Sequence, residues 1–369
     1  MKVPYVDLGT QHSPIKDELL NAVSQVLDHG MFILGQEVEE LERQFAAVCG
    51  VDFAVGVNSG TDALILSLKA LGVGLGDEVI TVVNSFVAST SCINLVGATP
   101  VLVDVRDDMN IDPALIEAAI TPKTKAILPV HITGRPADMD QIMDIAERHD
   151  LYVIEDCAQS VGAKYNGRPV GSIGITGCYS LHPLKTLNAC GDGGIITTND
   201  PVIYQELKYL RNHGLKTRED CIMWGLNSRL DTMQAAMLLV KMKYLDEWTE
   251  KRRSNARYYQ EHLAEVEEIQ LPSDDESEWA VYHTFVIQAS NRDQLKEHLA
   301  KKHIRTVVSY PTPIHLQPAA AVLPYSFGSF PIAERQAERM LNLPVSSELD
   351  VHQLEYVVDN IKSFYSKAK

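Results

Sequence analysis

Asp156 and Lys185 are the residues whose types and placement point most directly to chemistry. Asp156 follows a short apolar run, Leu151 to Ile154, that reads as a buried strand ending in the acid pair Glu155 and Asp156. A second strand-like run, Gly177 to Leu181, leads through Pro183 to Lys185. A glycine-rich turn, Gly191-Asp-Gly-Gly194, then precedes a third strand from Ile195 to Thr198. In a mostly parallel α/β sheet, ligands collect beyond the carboxyl ends of the strands, and both residues are expected there. An amine can form an imine with an aldehyde. A carboxylate behind a pyridine ring keeps its nitrogen protonated, so that the ring accepts electrons. The pair therefore suits pyridoxal phosphate (PLP) chemistry. Taken singly, an Asp after a strand is an ordinary turn former or N-cap, and a Lys is ordinary surface. A phosphate site elsewhere in the chain is what lifts the pair above that background.

The stretch Val57-Asn-Ser-Gly-Thr-Asp-Ala-Leu64 has the right form for that site. A strand ends, a turn of small residues follows, and a helix begins with Ser59 as its N-cap. Free N–H groups at Gly60 and Thr61, with the helix dipole behind them, bind anions. An isolated Ser-Gly-Thr is more often a plain capped helix, so its weight comes from the company it keeps. Gly72-Val-Gly-Leu-Gly76 is a decoy: it follows a helix and precedes a strand, the reverse of the dinucleotide fingerprint, and reads as a helix C-cap and turn. Phe86, after the strand Glu78 to Val83, is either a core aromatic or a ring that stacks on a flat cofactor.

These residues need a scaffold, and strand and helix patterns alternate over about 200 residues to provide one. The expectation is an α/β chain whose major domain, residues 1–245, is one mostly parallel sheet with helices on both faces. A smaller α+β domain is expected over residues 246–369. Within this scheme the pattern predicts one long helix from Asp231 to about His262, a strand from Thr306 to Val308, and a helix from Ala333 to Leu341. Tyr310 and His315 lie on a Pro-fixed loop that could reach over the main domain or be only a rigid turn. Asn227 and its neighbour Arg229 precede the long helix. They read either as capping residues or as polar groups delivered to an anion.

Composition narrows the classes. The chain has 369 residues, 45% hydrophobic, with 49 acidic against 33 basic residues and a formal charge of −16. Such a balance argues against nucleic acid and anionic membrane as partners. The six cysteines are scattered with no C-x-x-C pair, which points away from zinc or a disulfide framework and towards a reduced, cytoplasmic protein. No metal site is expected. The N-terminal segment lacks the apolar core of a signal peptide, and no run reaches the roughly 18 apolar residues of a membrane span. An N-terminal arm with Tyr5, Phe32 and Ile33 hints at a second copy of the chain as partner.

Together the segments FILGQEVEELERQFA, VNSGTDAL, GDEVIT, SFVAS, PVLVDV, VHITGRPADMDQI, VIEDCAQSVGA, YSLHPLKTL, GDGG, LRNHG, GLNSRLDTMQAA and YPTPIHLQP resemble the DegT/DnrJ/EryC1/StrS family. These are PLP-dependent sugar aminotransferases of the aspartate aminotransferase fold, fold type I. The resemblance covers nearly the whole chain, in order and spacing. It implies that Lys185 forms the imine with the cofactor and later moves the proton between cofactor and substrate carbons. Asp156 would pair with the pyridine nitrogen, Gln159 would lie by the phenolic oxygen, and Phe86 would stack on the ring. Gly60, Thr61 and Ser180 would hold the phosphate. Asn227 would reach the phosphate of a neighbouring subunit, which makes the active unit a homodimer. Tyr310 and His315 would approach the sugar. The implied reaction moves an amino group from glutamate to a keto-sugar, most often nucleotide-linked. A cyclitol ketone as acceptor, a dehydratase and a non-catalytic regulator are the alternatives. His182 stands where the family usually has an aromatic residue and Thr186 where Asn is common, which bears on the sugar rather than the cofactor. One branch of the family replaces the lysine by histidine and dehydrates; the intact lysine here favours transamination.

Overall fold

The structure is a computed structural model that describes residues 1–366. Its centre is a seven-stranded sheet built from β1 (Phe53–Val57), β2 (Glu78–Val82), β3 (Thr99–Val103), β4 (Thr124–Leu128), β5 (Tyr152–Asp156), β6 (Thr176–Ser180) and β7 (Gly194–Thr198), in the spatial order β1-β7-β6-β5-β4-β2-β3. These strands are short, rich in β-branched residues and buried along most of their length, as strands covered by helices on both faces must be. The helix Gly60–Ala70 lies across the centre, where Leu64 and Leu68 share a core cluster with Ile154 and Ile196.

Six strands run parallel; β7 runs against both neighbours. That reversal brings the site together. Gly194, the first residue of β7, pairs with Val57 at the end of β1 and with Ser180 at the end of β6. The turn after β1 and the turn after β6 therefore leave the sheet side by side. Asp156, the last residue of β5, is level with Cys178 on β6.

The C-terminal part has a core of its own. The strand Phe285–Ala289 is flanked antiparallel by Ile269–Gln270 and Met340–Leu343. Its residues Phe285 and Ile287 pack with Tyr259, Leu299, Leu354 and Ile361. The first residues of the chain return to this core: Val3 is fully buried in it and is bonded in both directions to the segment His303–Arg305.

Three expectations for this half are corrected. The predicted helix over 231–262 is two helices, Thr232–Met242 and Leu245–Leu263. They break at Lys243 and Tyr244, whose side chains both bind Glu18. The first helix packs its Ala235 and Leu238 beside β7, and the second carries Ala256 and Tyr259 into the C-terminal core. Between Thr306 and Val308 only Val307 pairs, with Asn342, before Pro311 and Pro313 stop the ladder. The predicted helix over 333–341 is Pro331–Arg339, and Met340–Leu343 is a strand instead. Strand pairing with Phe285–Ala289 overrides the helical periodicity there.

Candidate active site

A cavity of about 410 Å³ opens at the carboxyl edge of the sheet. Gly60, Thr61, Phe86, Asp156, Gln159, Ser180, Lys185 and Tyr310 all line it. Strand ends supply most of them, because a residue just past a strand is freed from the ladder while the sheet still fixes its position.

At one end of the cavity the helix Gly60–Ala70 begins. Ser59 caps it, its side chain accepting from the Asp62 N–H at 3.1 Å, while the Ala63 N–H bonds the Ser59 carbonyl at 3.0 Å. The N–H groups of Gly60 and Thr61 are left for an anion. The loop before the helix Thr232–Met242 braces this turn: Ser228 Oγ donates to Asp62 at 2.7 Å and accepts from the Asn58 N–H at 3.2 Å. Gly60 lies hard against β6. A Cβ there would stand 2.7 Å from Ser180 Cβ and 3.0 Å from its Cα. Gly60→Ala must therefore push the helix tip away from Ser180. The expected result is cofactor affinity weakened about tenfold or more, read from an absorbance titration of the dialysed protein. Unchanged affinity would show that this close approach does not shape the cradle.

In the middle of the cavity, Asp156 is buried with two hydrogen bonds, from Ser89 Oγ at 2.7 Å and from the Ala158 N–H at 3.1 Å. Burial pushes its carboxyl up from the ordinary range, and these bonds and the charge of Lys185 only partly oppose this. Among the described residues no cation forms an ion pair with it. A buried carboxylate without a counter-ion fits a ligand that brings a cationic nitrogen. Lys185 sits on the turn after β6, where its N–H bonds the His182 carbonyl at 2.8 Å. Burial lowers its amine to about 8, although Asp156 pulls the other way. Gln159 is fixed at both ends. Its Oε1 accepts from the Thr133 N–H at 2.8 Å and its Nε2 donates to Tyr310 Oη at 2.8 Å. Phe86 is 58% exposed at the mouth, with a face open to a flat ring. Amine, unpaired carboxylate, exposed aromatic face and anion cradle together match the parts of PLP.

Glu155, the other half of the acid pair, points the opposite way, as alternate strand residues do. It bonds His131 at 3.0 Å and accepts from the N–H groups of Gly171, Ile173 and Gly174. Burial works to raise this carboxyl, but these bonds outweigh it and hold it below the ordinary range. The ligand atoms of His131 and Glu155, which lie near Cys157, are thus engaged within the protein.

Two expected residues lie outside the cavity. His315 is buried, with its Nε2 2.9 Å from Glu334 and its ring edge against Phe330. The loop carrying Pro311 and Pro313 turns it into the protein. Asn227 bridges to Asn212 on the outer side of the loop, away from the cavity of its own chain. Conversely, Ser89, Ser228 and His283 belong to the site or its supports without being candidates from sequence. Ser89 lies in the segment SFVAS, where Phe86 is the stronger signal. Ser228 lies in the segment GLNSRLDTMQAA but braces Asn58 and Asp62, far away in sequence, and no local pattern marks His283.

The fold and the site define a fold-type-I enzyme whose cofactor is pyridoxal 5'-phosphate. The sequence profile of the DegT/DnrJ/EryC1/StrS aminotransferase family matches residues 13–362, and the chain belongs to that family. It is 45% identical over 368 residues to a Geobacillus stearothermophilus protein named as a pleiotropic regulatory protein, covering 99% of each chain. It is 42% identical over 364 residues to the dTDP-3-amino-3,4,6-trideoxy-alpha-D-glucose transaminase of Streptomyces venezuelae, covering 98% of this chain and 96% of that one. Among solved structures it resembles S. venezuelae DesV in complex with a ketimine intermediate, with a TM-score of 0.96, 42% identity and 98% of each chain covered. No described helix is long and apolar enough to cross a membrane.

Proposed function

We propose that this transaminase moves an amino group from glutamate to a nucleotide-linked keto-sugar, with Lys185 and Asp156 as its catalytic residues. The observation that carries the reading is the convergence of a desolvated amine, a buried carboxylate without a counter-ion and a helix-tip anion cradle on one cavity. When bound, PLP supplies an aldehyde that captures amines and a ring that stores an electron pair. The protein supplies the rest. Gly60, Thr61 and Ser180 hold the phosphate. Phe86 covers one face of the ring. Asp156 keeps a proton on the ring nitrogen, and Gln159, locked by Thr133, addresses the phenolic oxygen. Lys185 Nζ would hold the cofactor and, once freed, would carry the proton between the substrate carbon and the cofactor carbon. Tyr310, kept neutral because burial raises its hydroxyl, closes the side from which the sugar enters.

The lowered amine of Lys185 gives a pH dependence with a definite sign. An ordinary lysine near 10.4 is almost wholly protonated at neutral pH and is a poor nucleophile. With its amine near 8, the neutral fraction of Lys185 rises tenfold per pH unit below that value and levels off above it. Capture of added PLP by the apoenzyme is expected to accelerate from pH 6 to about 8 and then flatten. Stopped-flow absorbance checks this, and acceleration continuing to pH 10 would show an unshifted lysine.

The active unit is a dimer in which Asn227 reaches the phosphate of the other copy. The exposed Phe32, Ile33 and Trp224 support such a partner surface. Free cysteines, four of them buried, support a reducing, cytoplasmic setting. The relative with a regulatory name favours a second reading, a non-catalytic role. The complete set of Lys185, Asp156 and Gln159 in one cavity speaks for catalysis. The test is a pair of half-reactions. Glutamate should bleach the visible absorbance of the loaded protein, and a nucleotide-linked keto-sugar should restore it. Bleaching followed by restoration with a cyclitol ketone alone would move the acceptor class. No bleaching by any amino donor would favour the regulator.

A further inference from the structure

His283 is a cavity-wall residue to which nothing above gives a role. It lies just before the strand Phe285–Ala289 and faces the same space as Lys185, Asp156 and Tyr310. The other polar groups of this wall are largely engaged. Asp156 has Ser89 and the Ala158 N–H; Gln159 has Thr133 and Tyr310. Ser180 Oγ accepts from the His182 N–H, and His182 Nδ1 accepts from the Leu184 N–H. Neither ring nitrogen of His283 has a hydrogen-bond partner among the described residues, and Nδ1 is buried. Such an orphan costs stability unless a ligand satisfies it.

The backbone that carries the ring is pinned. Arg252 donates to the His283 carbonyl at 3.3 Å. The flanking Val281 and Thr284 N–H groups bond the carbonyls of Gly134 and Thr133 at 2.9 and 3.2 Å. Thr133 has a positive φ of 61°, a strained conformation for a β-branched residue, and these bonds hold the turn. The turn also orients Gln159, so the ring is placed in fixed register with the cofactor residues.

Burial disfavours the charged imidazole, and the nearby cations Lys185, Arg252 and His182 disfavour it further, so the ring is held neutral. A neutral imidazole carries one N–H and one lone pair. An amino-acid carboxylate would favour a cation at this place. A hydroxyl, itself donor and acceptor, matches a neutral ring. We infer that His283 binds a hydroxyl of the keto-sugar beside its reacting carbonyl and so helps select the acceptor, an inference that rests on the sugar aminotransferase reading.

Single-turnover half-reactions of His283→Ala and His283→Gln test it, each followed by cofactor absorbance. For His283→Ala the keto-sugar step should show a KM raised about tenfold or more, with partial rescue in His283→Gln. The glutamate step should change less than about twofold. An unchanged keto-sugar step overturns the assignment. Equal loss in both steps also overturns it, since that marks a structural role or a contact to the amino donor. If the unaltered protein is not bleached by glutamate, the transaminase reading itself fails and this inference falls with it.

Discussion

Lys185→Ala is expected to abolish the visible absorbance of the loaded protein and to lower turnover by about 10⁴-fold or more. The size follows from the two tasks on one atom. In the proposed reaction Lys185 Nζ captures the cofactor and then carries the proton that transamination moves. Among the described residues no second amine lines the cavity to take its place. The residue sits on a turn held by its own N–H to His182 and by Asn188, which donates to its carbonyl at 3.2 Å. Truncating the side chain leaves those bonds intact. Folding should therefore survive, and circular dichroism with thermal melting can confirm that the loss is chemical. Turnover within tenfold of the starting protein would remove Lys185 from its role.

Asp156→Asn separates ring electronics from cofactor binding. Asn keeps the shape and can still bond Ser89 and the Ala158 N–H, so the cradle and the ring pocket remain. It cannot hold a proton on the ring nitrogen, because no charge is left to favour one. Turnover should fall by about 10² to 10³-fold, the scale of losing a preorganised charge in a water-poor site. PLP should still bind. The apoprotein should be no less stable than the original, because the buried carboxylate is pushed up by desolvation and its removal relieves a cost. A fall in apoprotein stability together with unchanged turnover would reverse the assignment and make Asp156 a structural residue.

Much of the major unit was legible because local signals agreed with tertiary demands. Phe53–Val57 is a strand and Met139–His149 a helix, as their patterns predict. Ser59 caps the helix it was expected to cap. The reversal of β7 has a cause in the sequence: parallel neighbours need a crossover element, and no helix lies between Ser180 and Gly194. The C-terminal unit was harder. Met340–Leu343 continues a helical pattern, and only the exposed edge of Phe285–Ala289 makes it a strand. The same limit applies to the site. Asp156 and Lys185 announce themselves by position after strands. His315 has the same residue-level promise as His283, yet Glu334 and Phe330 take His315 into the protein while His283 is left facing the cavity. Which histidine faces the ligand depends on partners distant in sequence, and local pattern carries no information about them.

The central claim is that one amine, Lys185, captures the cofactor. The direct measurement is to load the purified protein with PLP, reduce it with borohydride, and map the modified peptide by mass spectrometry. The account predicts a single pyridoxyl adduct on Lys185, absent from Lys185→Ala. An adduct on another lysine, or none at all in protein that has taken up the cofactor, would contradict it.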